Sequence, residues 1–105
     1  MGKQLFRERA KIAKALAHEA RLEIINILHN EGPRCVGELT ELLELSQPAV
    51  SKHLSLLKEA DIISSQKDGM NVIYKLEVLC TVNFFDCIDE ILLDRIERRK
   101  NMFNN

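Results

Sequence analysis

Apolar residues recur along this chain at helical and then at strand spacing, and the changes of spacing mark its elements. Leu5, Ile12 and Leu16 share one helical face with Phe6, Ala13 and Ala17 beside it, which predicts an amphipathic first helix over about 4–17. From His18 or Glu19 onward, Leu22, Ile24, Ile25, Ile27 and Leu28 leave little polar surface, so a second helix should lie at the centre of the core. It should stop at Asn30-Glu31-Gly32-Pro33, where Asn and Gly suit a left-handed cap and Pro33 cannot continue the helix. Val36, Leu39, Leu42 and Leu43 predict a short third helix ending near Leu45. A turn of about two residues then leads to a fourth, over about 47–59, in which Val50, Leu54 and Leu57 stand at i, i+4 and i+7. Ser46 or Gln47 can cap it, and Pro48 is tolerated in a first turn.

After Ala60-Asp61 the period shortens. Ile62 to Lys67 and Val72 to Leu76 are β-prone runs, and Asp68-Gly69 between them signals a hairpin, giving two strands over about 62–76. Asn83 followed by Asp86 resembles a capping box, and Phe84, Phe85, Ile88, Ile91, Leu92 and Ile96 form a broad apolar stripe on a last helix over about 83–100. Arg98, Arg99 and Lys100 suit its C-terminus, and Asn101 to Asn105 are expected to fray.

Two helices about a tight turn, the second with polar outward residues, form a helix-turn-helix, and the hairpin behind it makes a wing. The expected architecture is one domain over residues 1–105: mainly α, five helices and a small β-hairpin wing, with a core complete without the last helix. The first and last helices are then free to form a two-fold dimer interface. On the fourth helix Gln47, Ser51, Lys52 and Ser55 point away from the apolar stripe, and such groups can meet base edges and phosphates in a major groove. Lys67 and Lys75 are placed to reach the DNA backbone from the wing, although exposed hairpin lysines are also ordinary. His53 faces either DNA or the third helix, and His18 and His29 read as capping or surface groups. The rival reading is a winged module for protein interaction.

Charge modifies this picture. The chain of 105 residues has a formal net charge of -1, where a dedicated nucleic-acid binder often carries a basic excess. The distribution is uneven. Six basic residues face two acidic ones between Met1 and Arg21, whereas Glu31, Glu38, Glu41 and Glu44 oppose only Arg34 ahead of the reading helix. Sequence-specific binding with a modest electrostatic part fits this pattern. No apolar run approaches the roughly 20 residues of a membrane helix, and the charged N-terminus lacks the apolar core of a secretory signal, so a cytoplasmic protein is expected. The three cysteines Cys35, Cys80 and Cys87 then read as thiols rather than a disulfide framework. No Gly-rich phosphate loop, zinc-protease pattern or nucleophile with an identifiable base supports an enzyme.

Several runs carry a resemblance. Cys35-Val36-Gly37-Glu38-Leu39, Leu45 to Leu54 (Leu-Ser-Gln-Pro-Ala-Val-Ser-Lys-His-Leu), and the Asp68-Gly69 wing ending in Ile73-Tyr74 resemble the ArsR/SmtB family of repressors. The opening run Leu16 to Ile24, with its Arg21-Leu22 pair, also looks like the family's start. The resemblance implies a homodimeric winged-helix repressor that leaves its operator when an effector binds. By position, Ser46, Gln47, Ser51, Lys52 and His53 match residues of the family's reading helix.

The effector is open at this point. Metal-sensing relatives begin the third helix with Cys-Val-Cys-Asp-Leu, whereas this chain keeps Cys35 and has Gly37 in place of the second cysteine. The family's zinc site on the last helix needs histidines, and none follows His53. Cys80 and Cys87 remain. On one continuous helix they would stand about 10 Å apart along the axis. With a helix starting at Asn83, Cys80 would lie in the preceding loop and fold back toward Cys87 in the first turn, where the helix N-terminus favours a thiolate. This resembles arsenic-responsive members whose cysteines gather near the start of the last helix, with Cys35 or a partner's cysteine as a third ligand. The effector is then As(III), Sb(III) or another thiophilic ion, or else thiol oxidation or persulfidation. The alternative is that these cysteines are packing residues.

Overall fold

A computed structural model describes residues 2–78 and 81–104. Helix α1 spans Gly2–Leu16 and α2 Glu19–Glu31; a two-residue strand β1, Arg34–Cys35, precedes α3, Val36–Leu43, and α4, Gln47–Glu59. Strands β2, Ile63–Asp68, and β3, Asn71–Leu76, lead to α5, Thr81–Asn104. The result is a five-helix fold with a small antiparallel sheet, as the periodicities predict.

Local chemistry explains the boundaries. The His18 ring caps α2, its Nδ1 accepting the Ala20 N–H at 3.0 Å, and α2 ends at Gly32 with φ 81° and ψ −170°, backbone that L side chains rarely adopt. Ser46 is the cap of α4, its Oγ accepting the Ala49 N–H at 3.3 Å, and Pro48 sits in the first turn. Glu44 closes α3 in the left-handed region. Helix α4 ends in a Schellman arrangement: Ile62 N–H donates to Leu57 O at 3.1 Å and Asp61 N–H to Lys58 O at 3.0 Å, with Asp61 at φ 61°. Ile62 and Leu57 are both buried, so the cap also aims the chain into β2.

The core is one cluster from Leu16 to Ile63. Ile24 and Ile25 of α2, Leu39 of α3 and Val50, Leu54 and Leu57 of α4 are each 0% exposed. Helix α2 meets α1, α3, α4, β3 and α5, the central place its apolar pattern predicts. In the hairpin, Gly69 has φ 64° at the first loop position, the feature of a type II′ turn, which matches the twist of the flanking strands.

Three features differ from expectation. The sheet has three strands, in the order β1-β3-β2, because Arg34 and Cys35 pair with Tyr74 and Ile73. Helix α5 starts at Thr81 rather than Asn83, and Thr81 Oγ1 donates to Val78 O at 2.7 Å in the turn that begins it. Asn83 is an exposed helical residue, not a cap. Helix α5 also continues to Asn104 instead of fraying after Lys100. The radius of gyration is 16.8 Å, against about 13 Å for a compact domain of this size. The excess reflects helices that run beyond the core: Leu5, Phe6 and Ile12 on α1, and Ile91, Leu92, Leu93 and Ile96 on α5, are exposed.

Candidate nucleic-acid interface

The two halves of α4 have different duties. Val50, Leu54 and Leu57 hold it against α2 and α3, while Gln47, Lys52 and Ser55 are exposed and Ser51 is half-buried. Gln47, Ser51 and Ser55 stand at i, i+4 and i+8, so they form one polar stripe with Lys52 beside it. Ser46, at the head of this stripe, already spends its oxygen on the cap.

His53 does not join the stripe. It is half-buried, its ring centroid lies 4.3 Å from that of His18 with the planes tilted by 47°, and its Nδ1 is buried without a hydrogen-bond partner among the described residues. Arg21 Nε, one turn into α2, is likewise buried and unpartnered among them. Burial, then the charges of His18, Arg21 and Lys52, hold His53 below the usual histidine range. His18 and Arg21 escape a reading of α4 alone, because their partner comes from another helix.

On the wing Lys67 is exposed at the end of β2. Lys75 is exposed too, but its Nζ lies 3.6 Å from Glu77, whose carboxylate also accepts from Ser64 Oγ at 2.5 Å. Those contacts, the Ser64 hydroxyl first and Lys75 next, hold Glu77 below the usual carboxylate range. Lys58, which periodicity did not single out, donates to Ser65 Oγ at 2.6 Å and connects α4 to the wing.

Among the described residues Cys35 and Cys87 are free thiols. Cys35 is half-buried in the N-cap position of α3, where the Glu38 carboxylate accepts its backbone N–H at 3.1 Å. That hydrogen bond, then one from the Cys35 thiol, and the Arg34 charge hold Glu38 below the usual carboxylate range. A Cβ added at Gly37 would lie 3.9 Å from Cys35 Sγ, so the position is open but offers no second thiol. Cys87 is exposed, and with α5 starting at Thr81 it lies in the second turn rather than the first. The free N–H groups of the helix start lie in its first turn, so Cys87 stands beyond them. Cys80 lies outside the described residues. Among the described residues no group of three His, Cys, Asp or Glu side chains is placed to hold a metal ion.

A short helix, a tight turn, a helix with a polar outer stripe and a hairpin tied to its end define a winged helix-turn-helix regulator. The family description "Bacterial regulatory protein, arsR family" matches residues 18–65. The arsenical resistance operon repressor of Bacillus subtilis is 38% identical over 73 residues, which cover 70% of each chain. This chain belongs to the ArsR family. The arsenic resistance transcriptional regulator ArsR1 of Pseudomonas putida is 43% identical over 65 residues, 62% of this chain and 51% of that protein. This chain spans about half the length of several such relatives. Among solved structures, NolR from Sinorhizobium fredii superposes with a TM-score of 0.77 at 27% identity, covering 86% of this chain and 89% of its own. These relatives are regulators rather than enzymes by name. No described helix is long and apolar enough to cross a membrane.

Proposed function

We propose that this chain is a sequence-specific DNA-binding repressor, a cytoplasmic homodimer that leaves its operator when a thiophilic metal(loid) such as arsenite binds its thiols. The observation that carries the DNA reading is the division of α4. Three apolar side chains are wholly buried while Gln47, Lys52 and Ser55 stay exposed beside half-buried Ser51. Donors of these types meet base edges and phosphates in a major groove, and the exposed Lys67 and Lys75 of the wing are the proposed backbone contacts. The exposed apolar side chains of α1 and α5 support a two-fold dimer, which would set two α4 helices about one DNA turn apart.

For the effector, the support is the arsenic-resistance names of two relatives and the free thiols of Cys35 and Cys87. The proposed pair is Cys80 with Cys87, and Cys35 is the proposed third donor.

The test is binding of the purified reduced protein to a duplex from its own promoter region. Replacing Gln47, Ser51 and Lys52 together by alanine should weaken binding by at least about tenfold, since one good base contact contributes about 1–3 kcal/mol. Unchanged binding sinks the repressor reading in favour of a protein-interaction module. Arsenite and antimonite should release the duplex from the native chain but not from Cys80→Ser or Cys87→Ser. A competing dithiol should reverse that release with no added mass on the thiols. Release by oxidant alone, with added mass or a bridge, would replace the ion by thiol oxidation or persulfidation.

A further inference from the structure

The reading helix touches α2 through an unusual pair of side chains. His18 and His53 lie 35 residues apart in sequence, yet their rings meet at 4.3 Å. The His18 ring is itself fixed, because its Nδ1 accepts the Ala20 N–H and so satisfies one of the free N–H groups at the α2 start. His53 is therefore packed against a group that cannot turn away without uncapping α2.

Its surroundings suit only the neutral ring. The buried Nδ1 has no hydrogen-bond partner among the described residues, and the nearby Arg21 Nε is a buried donor that also lacks one. A proton on Nδ1 would place a cationic donor where the neighbours are donors as well. Helices α1, α2 and α3 and strand β2 all pack on α4. Among the described residues the charges that act on His53 are those of His18 and Arg21 from α2 and Lys52 from its own helix. A cation at His53 thus faces two cations and a titratable ring.

We propose that His53 is a positioning residue rather than a DNA contact, and that with His18 it forms a proton-sensitive joint that seats the reading helix on α2. His53 is flanked by Lys52 on the polar side and by buried Leu54 on the core side. A charged His53 can relieve its position only by swinging outward, and that pulls at the part of α4 that carries Ser51 and Lys52. The neutral joint holds the polar stripe in reading position, and the protonated joint releases it. The consequence for DNA rests on the repressor reading above, whereas the joint itself does not.

The sign of the pH effect separates this role from a contact. A histidine touching phosphate binds DNA more tightly as it gains charge, so affinity would rise on acidification. A joint that must be neutral does the reverse. Burial and the neighbouring cations lower the folded His53 value below the ordinary one of about 6.5. Affinity is full above the His53 titration and falls by up to about tenfold per pH unit below it.

Two measurements decide the matter. In the free protein, ring signals of the histidines are followed by NMR from pH 8 to pH 5, with exposed His29 as the internal reference. His53 should titrate below His29, with backbone amides of Ser51 to Leu54 shifting in the same step. In His18→Asn, where asparagine keeps a capping oxygen, the His53 midpoint should move up toward that of His29. A His53 midpoint at or above that of His29, or α4 amides that ignore it, overturns the joint. Second, affinity for the promoter duplex is measured across the same range for the native chain, His53→Gln and His18→Asn. The native affinity should fall on acidification, His53→Gln should be flat, and the fall in His18→Asn should move to higher pH together with its own His53 midpoint. Affinity that rises on acidification, or a fall that persists in His53→Gln, overturns the proposal. A chain that binds no DNA at any pH removes the repressor reading, and the NMR titration still decides the joint.

Discussion

The Lys58 ammonium donates a 2.6 Å hydrogen bond to Ser65 Oγ, so the last turn of the reading helix is fastened to the first half of the wing. Lys58 is thereby held by the fold rather than left free for phosphate. Both groups are solvent-accessible, so Ser65→Ala should cost little stability, at the low end of the about 0.5–1.5 kcal/mol of a net hydrogen bond. Its effect should instead be local, as faster hydrogen exchange of the β2–β3 amides with unchanged exchange in α2. Leu57→Ala, next to Lys58 but wholly buried, should lower the unfolding free energy by about 2–5 kcal/mol in a denaturant titration. Equal losses from the two substitutions would show that the wing is part of the global unfolding unit.

Helix α5 carries the test of assembly. Ile91, Leu92, Leu93 and Ile96 are 55%, 47%, 62% and 59% exposed, a patch that a soluble monomer seldom leaves uncovered. Ile91→Glu with Ile96→Glu should convert the proposed dimer to monomer by sedimentation at micromolar concentration and weaken promoter binding, while far-ultraviolet circular dichroism keeps its helical signal. A native chain that sediments as monomer would sink the two-fold arrangement.

Glu38 links the start of α3 to pH. Its carboxylate accepts the Cys35 N–H, and its folded value lies below the ordinary 4.5. A depressed carboxylate contributes stability that is present above its ordinary value and lost as pH falls through the folded one. The thermal midpoint of Glu38→Ala should therefore lie below that of the native chain at pH 7, and the gap should close as the pH drops below about 4. A gap independent of pH would assign the effect to helix propensity.

Gly37 offers a gain of function. A Cβ there would stand 3.9 Å from Cys35 Sγ, in ordinary van der Waals contact, and the backbone is not in the left-handed region. Gly37→Cys should place a second thiol beside Cys35 and gain a thiolate-to-cadmium absorption band that Cys35→Ser in the same background removes. Cys35→Ser alone should leave the fold intact, because serine is a good N-cap.

Much of this protein is written in short-range pattern. Spacing over one or two turns determined the five helices, the β-hairpin and the buried stripe of Val50, Leu54 and Leu57, because amphipathic periodicity is a local response to having one wet face and one dry one. Turn chemistry placed Ser46, Gly32 and Gly69 for the same reason. What only the tertiary structure decided are relationships whose partners are far apart in sequence. Strand β1 exists because β3 offers it an edge, not because Arg34-Cys35 has strand character. The start of α5 moved to Thr81, and with it Cys87 left the first turn, because Val78 supplies the carbonyl that Thr81 holds. His53 meets His18 because the packing of α4 on α2 brings the two rings together, and Lys58 met Ser65 because the buried Leu57-Ile62 contact aims β2 back along α4. A helical wheel shows which side chains leave the core stripe, but the neighbour each one meets depends on packing between elements.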